Sequence, residues 1–284
     1  MSEGSITDLR NANVLLTGGA GALGSATARL LAQAGANLAL SDRDASALAR
    51  TAEMVEGFRV RIAALECDVL DDAQLSELVS RAESEVGPLD VIISGAGIEF
   101  NAFFDDVSFD ELDRQLAIHL RSPMRLIHSA VPGMLERGRG HVVVVSSLNG
   151  KIPFPCKVPY SAAKAGSIAM VHALRREYHD RPVGFSVVMP ALVTGDGQAA
   201  RAMASSGVEP PPRAHTATAE QCAEAIRDAI LHNRPEVAVS SRSTGLISAL
   251  QWSLPTVADR LLERSGMPDF WRKVAAMRHD TVAS

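Results

Sequence analysis

Cysteine is scarce in this chain: three in 284 residues, Cys67, Cys156 and Cys222, each in an unrelated context. An odd, scattered set is neither a disulfide framework nor a metal knuckle, so reduced thiols and no metal site are expected. Long apolar runs are missing as well. No stretch of about 18 apolar residues occurs, which argues against a transmembrane helix and against integral membrane association. The first ten residues lack the basic and apolar blocks of a secretory signal, so a cytoplasmic protein is expected. Positive charge is in short supply. There are 28 Lys and Arg against 33 Asp and Glu, a net −5, and no basic run, so nucleic acid is not an expected partner. What the chain does have is apolar content, 46% of residues, enough for the full core of one large α/β domain.

Short apolar runs alternate with helical patterns. Strands are expected at Val14–Leu16, Leu38–Leu40, Val60–Leu65, Val91–Ile93, His141–Val145, Phe185–Met189 and Val237–Ser240. Between them the periodicity predicts helices at Gly24–Ala34, Ala45 to about Glu56, Asp71–Val86, Phe109–Val131, Tyr160–Tyr178 and Ala219–Leu231. Strands without polar alternation suit a parallel sheet covered on both faces, and strand–helix alternation gives right-handed crossovers. The fold class is therefore α/β, a doubly wound parallel sheet in a single domain over 1–241, with a C-terminal extension, 242–284, expected to be helical. Gly195–Pro212, rich in Gly, Ala, Ser and Pro, interrupts the pattern as a loop.

The segment Thr17-Gly18-Gly19-Ala20-Gly21-Ala22-Leu23-Gly24 joins the first strand to the first helix. Glycines there permit a tight turn and close approach of a pyrophosphate, and the helix N-terminus offers free N–H groups and positive potential. Asp42 follows the second strand, eighteen residues after Gly24. A carboxylate there can hold a ribose hydroxyl pair and repel a 2′-phosphate, which favours NAD over NADP, whereas neighbouring Arg43 could pair with that phosphate.

Tyr160 and Lys164 lie four residues apart on a predicted helix and so share a face. Ser147 stands at the end of the fifth strand, where a parallel sheet opens its ligand crevice. A free phenol has a pKa of about 10. A nearby ammonium favours the phenolate, which lets the tyrosine exchange a proton with a substrate oxygen that the serine orients. The hydride itself would belong to a nicotinamide.

With these residues the chain resembles the short-chain dehydrogenase/reductase family in its common subtype, over about Asn13 to Leu231. The resemblance implies a Rossmann-type fold, an NAD(P)-dependent alcohol/carbonyl oxidoreductase, and a homodimer or homotetramer formed through helices carrying Leu112, Leu116, Leu120, Ile168, Val171 and Leu174. The cofactor motif matches at Thr17, Gly18 and Gly24, with Gly21 and Leu23 alongside, while Ala22 replaces a glycine. The resemblance puts the adenine side at Asp68 and Val69. It also implies cofactor contacts from Tyr160 and Lys164, and from Pro190, Val193 and Thr194, with Ala191 in place of a glycine. The family's Asn-Asn-Ala-Gly reads Ser94-Gly95-Ala96-Gly97, so two bracing asparagines are absent while Gly95, Ala96 and Gly97 stay at the cofactor. The asparagine of the catalytic tetrad, which holds a water in the proton path, aligns with His119, which either joins that relay or is a helix-face histidine.

The resemblance also makes 195–213 a substrate lid, with Met203 and Val208 in an apolar wall. Glu99, Phe100, Phe103 and Phe104 on one side, and Ile152, Pro153, Phe154 and Pro155 on the other, suggest a bulky hydrophobic or aromatic small-molecule alcohol or carbonyl. The apolar stretch Leu246–Leu262 is expected to pack, with pocket cover or a membrane surface as other uses. Two further functions stand beside the dehydrogenase: a nucleotide-binding regulator that has lost catalysis, and an isomerase or dehydratase on the same scaffold.

Overall fold

The computed structural model describes residues 6–99, 101–195, 207–212 and 214–282. Its first half runs β1 (Asn13–Thr17), α1 (Ala22–Gln33), β2 (Asn37–Asp42), α2 (Ala45–Val55), β3 (Ile62–Glu66), α3 (Asp72–Val86) and β4 (Val91–Ser94). Then come α4 (Phe109–Leu116), a π-helical turn (Ala117–Arg121), α5 (Ser122–Arg137), β5 (Gly140–Val145), α6 (Val158–Glu177) and β6 (Val183–Pro190). The remainder is β7 (Leu192–Val193), β8 (Thr216–Ala217), α7 (Ala219–Leu231), β9 (Glu236–Val239), α8 (Gly245–Ser253), α9 (Pro255–Ser265) and α10 (Met267–Val282).

The central strands carry uninterrupted apolar runs, Val14–Leu16 in β1 and Val91–Ile93 in β4, because both faces are covered. Every residue of β1 and β4 is buried. Successive side chains point to opposite faces of a strand. Leu15 therefore joins Ile92, Val142 and Phe185 on one face. Val14 and Leu16 join Val91, Ile93, Val143 and Val188 on the other. Helix starts are set locally. Asp44 accepts from the Ala47 N–H, and Asp71 from those of Ala73 and Gln74. Ser108 with Glu111 and Thr218 with Gln221 form reciprocal capping boxes. Gly138, left-handed at φ 68°, ends α5.

The seven-stranded parallel sheet is ordered β3-β2-β1-β4-β5-β6-β9. After β3 the chain returns to the far side of β1, pairing Thr17 with Ser94. The order reverses there, and a ligand crevice opens beyond the carboxyl ends of β1 and β4. The doubly wound α/β sheet is thus the one expected from strand–helix alternation.

Several details differ. The single helix expected over Phe109–Val131 is interrupted by the π-helical turn and runs on to Arg137. β3 starts at Ile62 rather than Val60, and α6 starts at Val158, with Pro159 inside its first turn. The tail carries three helices. Ile168 and Val171, offered above as interface residues, are spent in the core. In Leu246–Leu262 the residues Leu246, Trp252, Leu254, Val257 and Leu261 are exposed rather than packed. Most of the stretch offered as a lid, Met203 included, lies outside the described residues, as does Phe100. Among the described residues no helix is long and apolar enough to cross a membrane.

Candidate active site

A cleft of about 590 Å³ runs from the glycine-rich turn to Tyr160. Its outer end is built by backbone packing. Gly18 has φ 76°, and a Cβ there would stand 2.7 Å from the Gly95 carbonyl. A Cβ on Gly24 would come within 2.0 Å of the Gly18 oxygen, so only glycine lets α1 start this close to the turn. α1 has no side-chain cap and no acidic residue in its first turn, and Ala22, Leu23 and Gly24 line the cleft. Uncapped N–H groups at a helix start form an anion site. Asp42 lines the same wall and accepts from the Ala20 N–H at 3.1 Å and the Asp44 N–H at 3.2 Å. Thr17 is buried below, where its hydroxyl accepts from the Gly95 and Ala96 N–H groups at 3.2 and 3.3 Å. That contact braces β1 against the end of β4, where the bracing asparagines are absent.

At the inner end, β5 delivers Ser146 and Ser147 while α6 carries Tyr160 and Lys164 on adjacent turns. Ser146 Oγ donates to the Lys164 carbonyl at 2.9 Å, tying helix to strand. Lys164 Nζ donates to the Val145 carbonyl at 2.8 Å and lies 5.6 Å from the centre of the Tyr160 ring. Burial brings the Lys164 ammonium down to about 8, with Glu99 acting the other way. Burial, reinforced by the Glu99 carboxylate, pushes the Tyr160 phenol up, and contact with the Ser147 hydroxyl pulls it down only in part. The direction of the phenol's shift in the protein alone is thus set by burial and Glu99, with Ser147 rather than Lys164 acting to lower it.

His119 occupies the π-helical turn, a distortion often found at functional sites. Its ring stands edge-on to Tyr160, centroids 5.0 Å apart. A Cβ on residue 97 would meet the ring at 2.8 Å, so Gly97 makes room for a histidine. Nε2 lies 2.6 Å from the Ile98 carbonyl, and a carbonyl only accepts, so Nε2 carries the proton. Burial, with Lys164 adding to it, holds His119 well below its ordinary value and hence neutral. Nδ1 is then a bare acceptor, buried and without a partner among the described residues.

A second buried group stands beside Tyr160. Lys157, whose side chain is 0% exposed, is ion-paired to Glu99. Its Nζ sits 3.6 Å from the centre of the Trp271 ring and 5.5 Å from that of Tyr160. Trp271 comes from α10, which packs Met267, Phe270, Trp271 and Val274 against Phe154, Leu192 and Val208. The C-terminal extension thus forms part of the pocket wall.

Of the residues singled out in the sequence, Gly18, Gly21, Ala22, Leu23, Gly24, Asp42, Arg43, Asp68 and Val69 line the outer cleft. Gly95, Ala96, Gly97, His119, Ser147, Tyr160, Lys164, Pro190 and Val193 line the inner part. Thr17 and Thr194 do not. Thr17 is a brace, and the Thr194 hydroxyl donates to the Ala217 carbonyl at 3.3 Å. Phe103 and Phe104 are exposed and stand outside the cleft, so the aromatic wall expected there is not formed by them. Ile152 and Phe154 are in the wall, while Pro153 and Pro155 are not. Arg50, Ile98, Leu192, Met267 and Trp271 also line it and were missed. An i+7 reading from Arg43 would have pointed α2 and Arg50 at the cleft, but no local signal marks the α10 residues.

The model of the family described as short chain dehydrogenase matches residues 12–205. A ketoacyl reductase, HetN, of Nostoc sp. is 35% identical over 278 residues, covering 96% of each chain. A dehydrogenase/reductase SDR family member 7B of Rattus norvegicus is 28% identical, over 90% of this chain and 80% of the relative. A solved short chain dehydrogenase/reductase family protein superimposes with a TM-score of 0.73 at 23% identity, over 82% of this chain and 97% of that one. The chain belongs to the short-chain dehydrogenase/reductase family and is an oxidoreductase of Rossmann-type fold.

Proposed function

We propose that this protein interconverts an alcohol and a ketone or aldehyde, with a nicotinamide coenzyme as partner and Tyr160 as the general acid/base. The observation that carries the reading is the placement of Tyr160, beside Ser147 and Lys164, at the inner end of a cleft whose outer end is an uncapped helix start. The residues fit such a coenzyme: α1 N–H groups for the pyrophosphate, Asp42 for the ribose, Asp68 and Val69 for the adenine side, and Pro190 and Val193 near the nicotinamide. Asp42 favours NAD, with Arg43 and Arg50 as the cations that could admit NADP. When bound, the nicotinamide supplies or accepts the hydride.

The protein's own residues handle the proton. Ser147 hydrogen-bonds the substrate oxygen. Burial keeps the Tyr160 phenol protonated at neutral pH, so in the reducing direction it can donate to a carbonyl, and in the oxidising direction the same oxygen takes the proton back. Lys164 holds positive charge beside the phenol as that proton leaves. His119 takes the relay role of the family asparagine, its bare Nδ1 accepting from a water that Lys164 can reach. Ile98, Ile152, Phe154, Leu192, Met267 and Trp271 favour a bulky hydrophobic or aromatic substrate. The working assembly is a homodimer or homotetramer.

The test is coenzyme absorbance at neutral pH with a panel of ketones and secondary alcohols. Turnover that disappears in Tyr160→Phe supports the proposal. Coenzyme binding without turnover across the panel contradicts it and favours a nucleotide-binding regulator.

A further inference from the structure

Beside the proton-handling groups Ser147, Lys164 and His119, the inner cleft carries one carboxylate. Glu99 lines the cleft at 14% exposure. One carboxylate oxygen is bound by Lys157, and the other has no hydrogen-bond donor among the described residues. Lys157 cannot swing away, since its side chain is wholly buried and its ammonium lies on the Trp271 ring. Such a pair is a poor choice for stability alone, because removing two charges from water costs about as much as their attraction returns. Apolar side chains of similar size would fill the same space. The pair does fix a carboxylate that lines the cleft within electrostatic reach of the proposed acid.

We propose that Glu99, locked by Lys157 beneath Trp271, is the acceptor that selects substrates carrying a hydroxyl close to the reacting carbon. The substrate class is then a hydroxyketone or the corresponding diol with an otherwise apolar body. A hydroxyl suits the site better than an ammonium. Lys157 and Lys164 place two positive charges around one carboxylate, and a cationic substrate would be opposed by both. A ketone lacking the hydroxyl leaves the Glu99 oxygen desolvated and unpaired, which is how a polar site rejects an analogue. The inference rests on the alcohol/carbonyl reading above, and its test is built to fail separately from it.

Phenacyl alcohol and its deoxy partner acetophenone form one probe pair, and β-hydroxypropiophenone with propiophenone forms a second with the hydroxyl one carbon further away. For each pair the ratio of kcat/KM is measured by coenzyme absorbance, and the ratio of Kd by calorimetry on the coenzyme-loaded protein. In at least one pair the hydroxylated member is expected to be favoured by about tenfold or more in both ratios, as for a hydrogen bond to a charged acceptor. Glu99→Gln, which keeps an acceptor, is expected to retain part of that preference. Glu99→Leu combined with Lys157→Met removes the pair without stranding a charge, and the preference should collapse to within about twofold of unity. A circular-dichroism melt establishes that this double variant folds. Ratios near unity in both pairs for the wild-type protein overturn the inference, as does a folded double variant that keeps the wild-type preference. A Kd preference with no turnover of either pair or of the wider ketone and alcohol panel overturns the reaction reading and leaves the selection by Glu99 standing.

Discussion

Removing Glu99 alone should destabilise the protein in a way that reports on Lys157 through pH. In Glu99→Leu the wholly buried Lys157 has no counter-charge. Burial already lowers its pKa from the ordinary 10.5 while Glu99 is present to oppose the shift. Without Glu99 the lysine sheds its proton in the folded state and keeps it when unfolded. Holding it neutral then costs about 5 kcal/mol at pH 7 and about 2 kcal/mol at pH 9. The sign follows from proton counts: the unfolded state binds one more proton, so stability rises with pH up to the unfolded value. At roughly 2–4 °C per kcal/mol for a chain of this size, the variant should melt about 10–20 °C below wild type at pH 7 and about 4–8 °C below at pH 9. Adding Lys157→Met should recover most of the loss at both values. Thermal melts of the three proteins at the two pH values give the answer. A deficit independent of pH, or a double variant no better than the single one, would refute the buried ion pair as described.

Other outcomes follow from the same geometry. Gly24→Ala places a Cβ 2.0 Å from the Gly18 oxygen. It should cost about 1–3 kcal/mol and weaken coenzyme binding, both read by thermal shift with and without coenzyme. Asp42→Asn removes the charge that opposes a 2′-phosphate, and the ratio of NADP to NAD dissociation constants should move at least about tenfold toward NADP. His119→Ala should lower kcat by about tenfold or more and alter the pH–rate profile, while His119→Asn restores much of the rate. An unaltered profile in His119→Ala would make His119 a packing residue.

The strands were legible because burial on both faces of a parallel sheet leaves uninterrupted apolar runs, as in Val142–Val145. The cofactor turn was legible because close backbone approach leaves no alternative to glycine at Gly18 and Gly24. Tyr160 and Lys164 were legible because one helical turn fixes their common face. The π-helical turn was not, since the apolar rhythm from Leu112 to Leu126 continues through it, and the distortion answers a long-range fit of His119 under Gly97 and Ile98. Nor was the Lys157–Glu99 pair. The two residues are 58 positions apart, Glu99 reads as pocket lining with no partner marked and Lys157 carries no local signal, and only the fold between β4 and α6 brings them together. Phe103 and Phe104 misled for the converse reason: aromatic residues after β4 look like pocket wall, yet the chain there turns outward into the short helical piece Phe104–Asp106.

The central claim is that the Tyr160 phenol carries the proton. It is tested most directly by comparing kcat for carbonyl reduction in wild type and Tyr160→Phe, using the best ketone from the panel, from pH 6 to 10. Around the phenol stand Ser147, Glu99, His119, Lys157 and Lys164. Since burial raises the phenol, wild-type reduction should show no loss from phenol ionisation through neutral pH. The phenylalanine variant should be slower by at least about 100-fold, a larger factor than any change in its coenzyme affinity. A variant that reduces the ketone within a few-fold of wild type across that range would contradict the account.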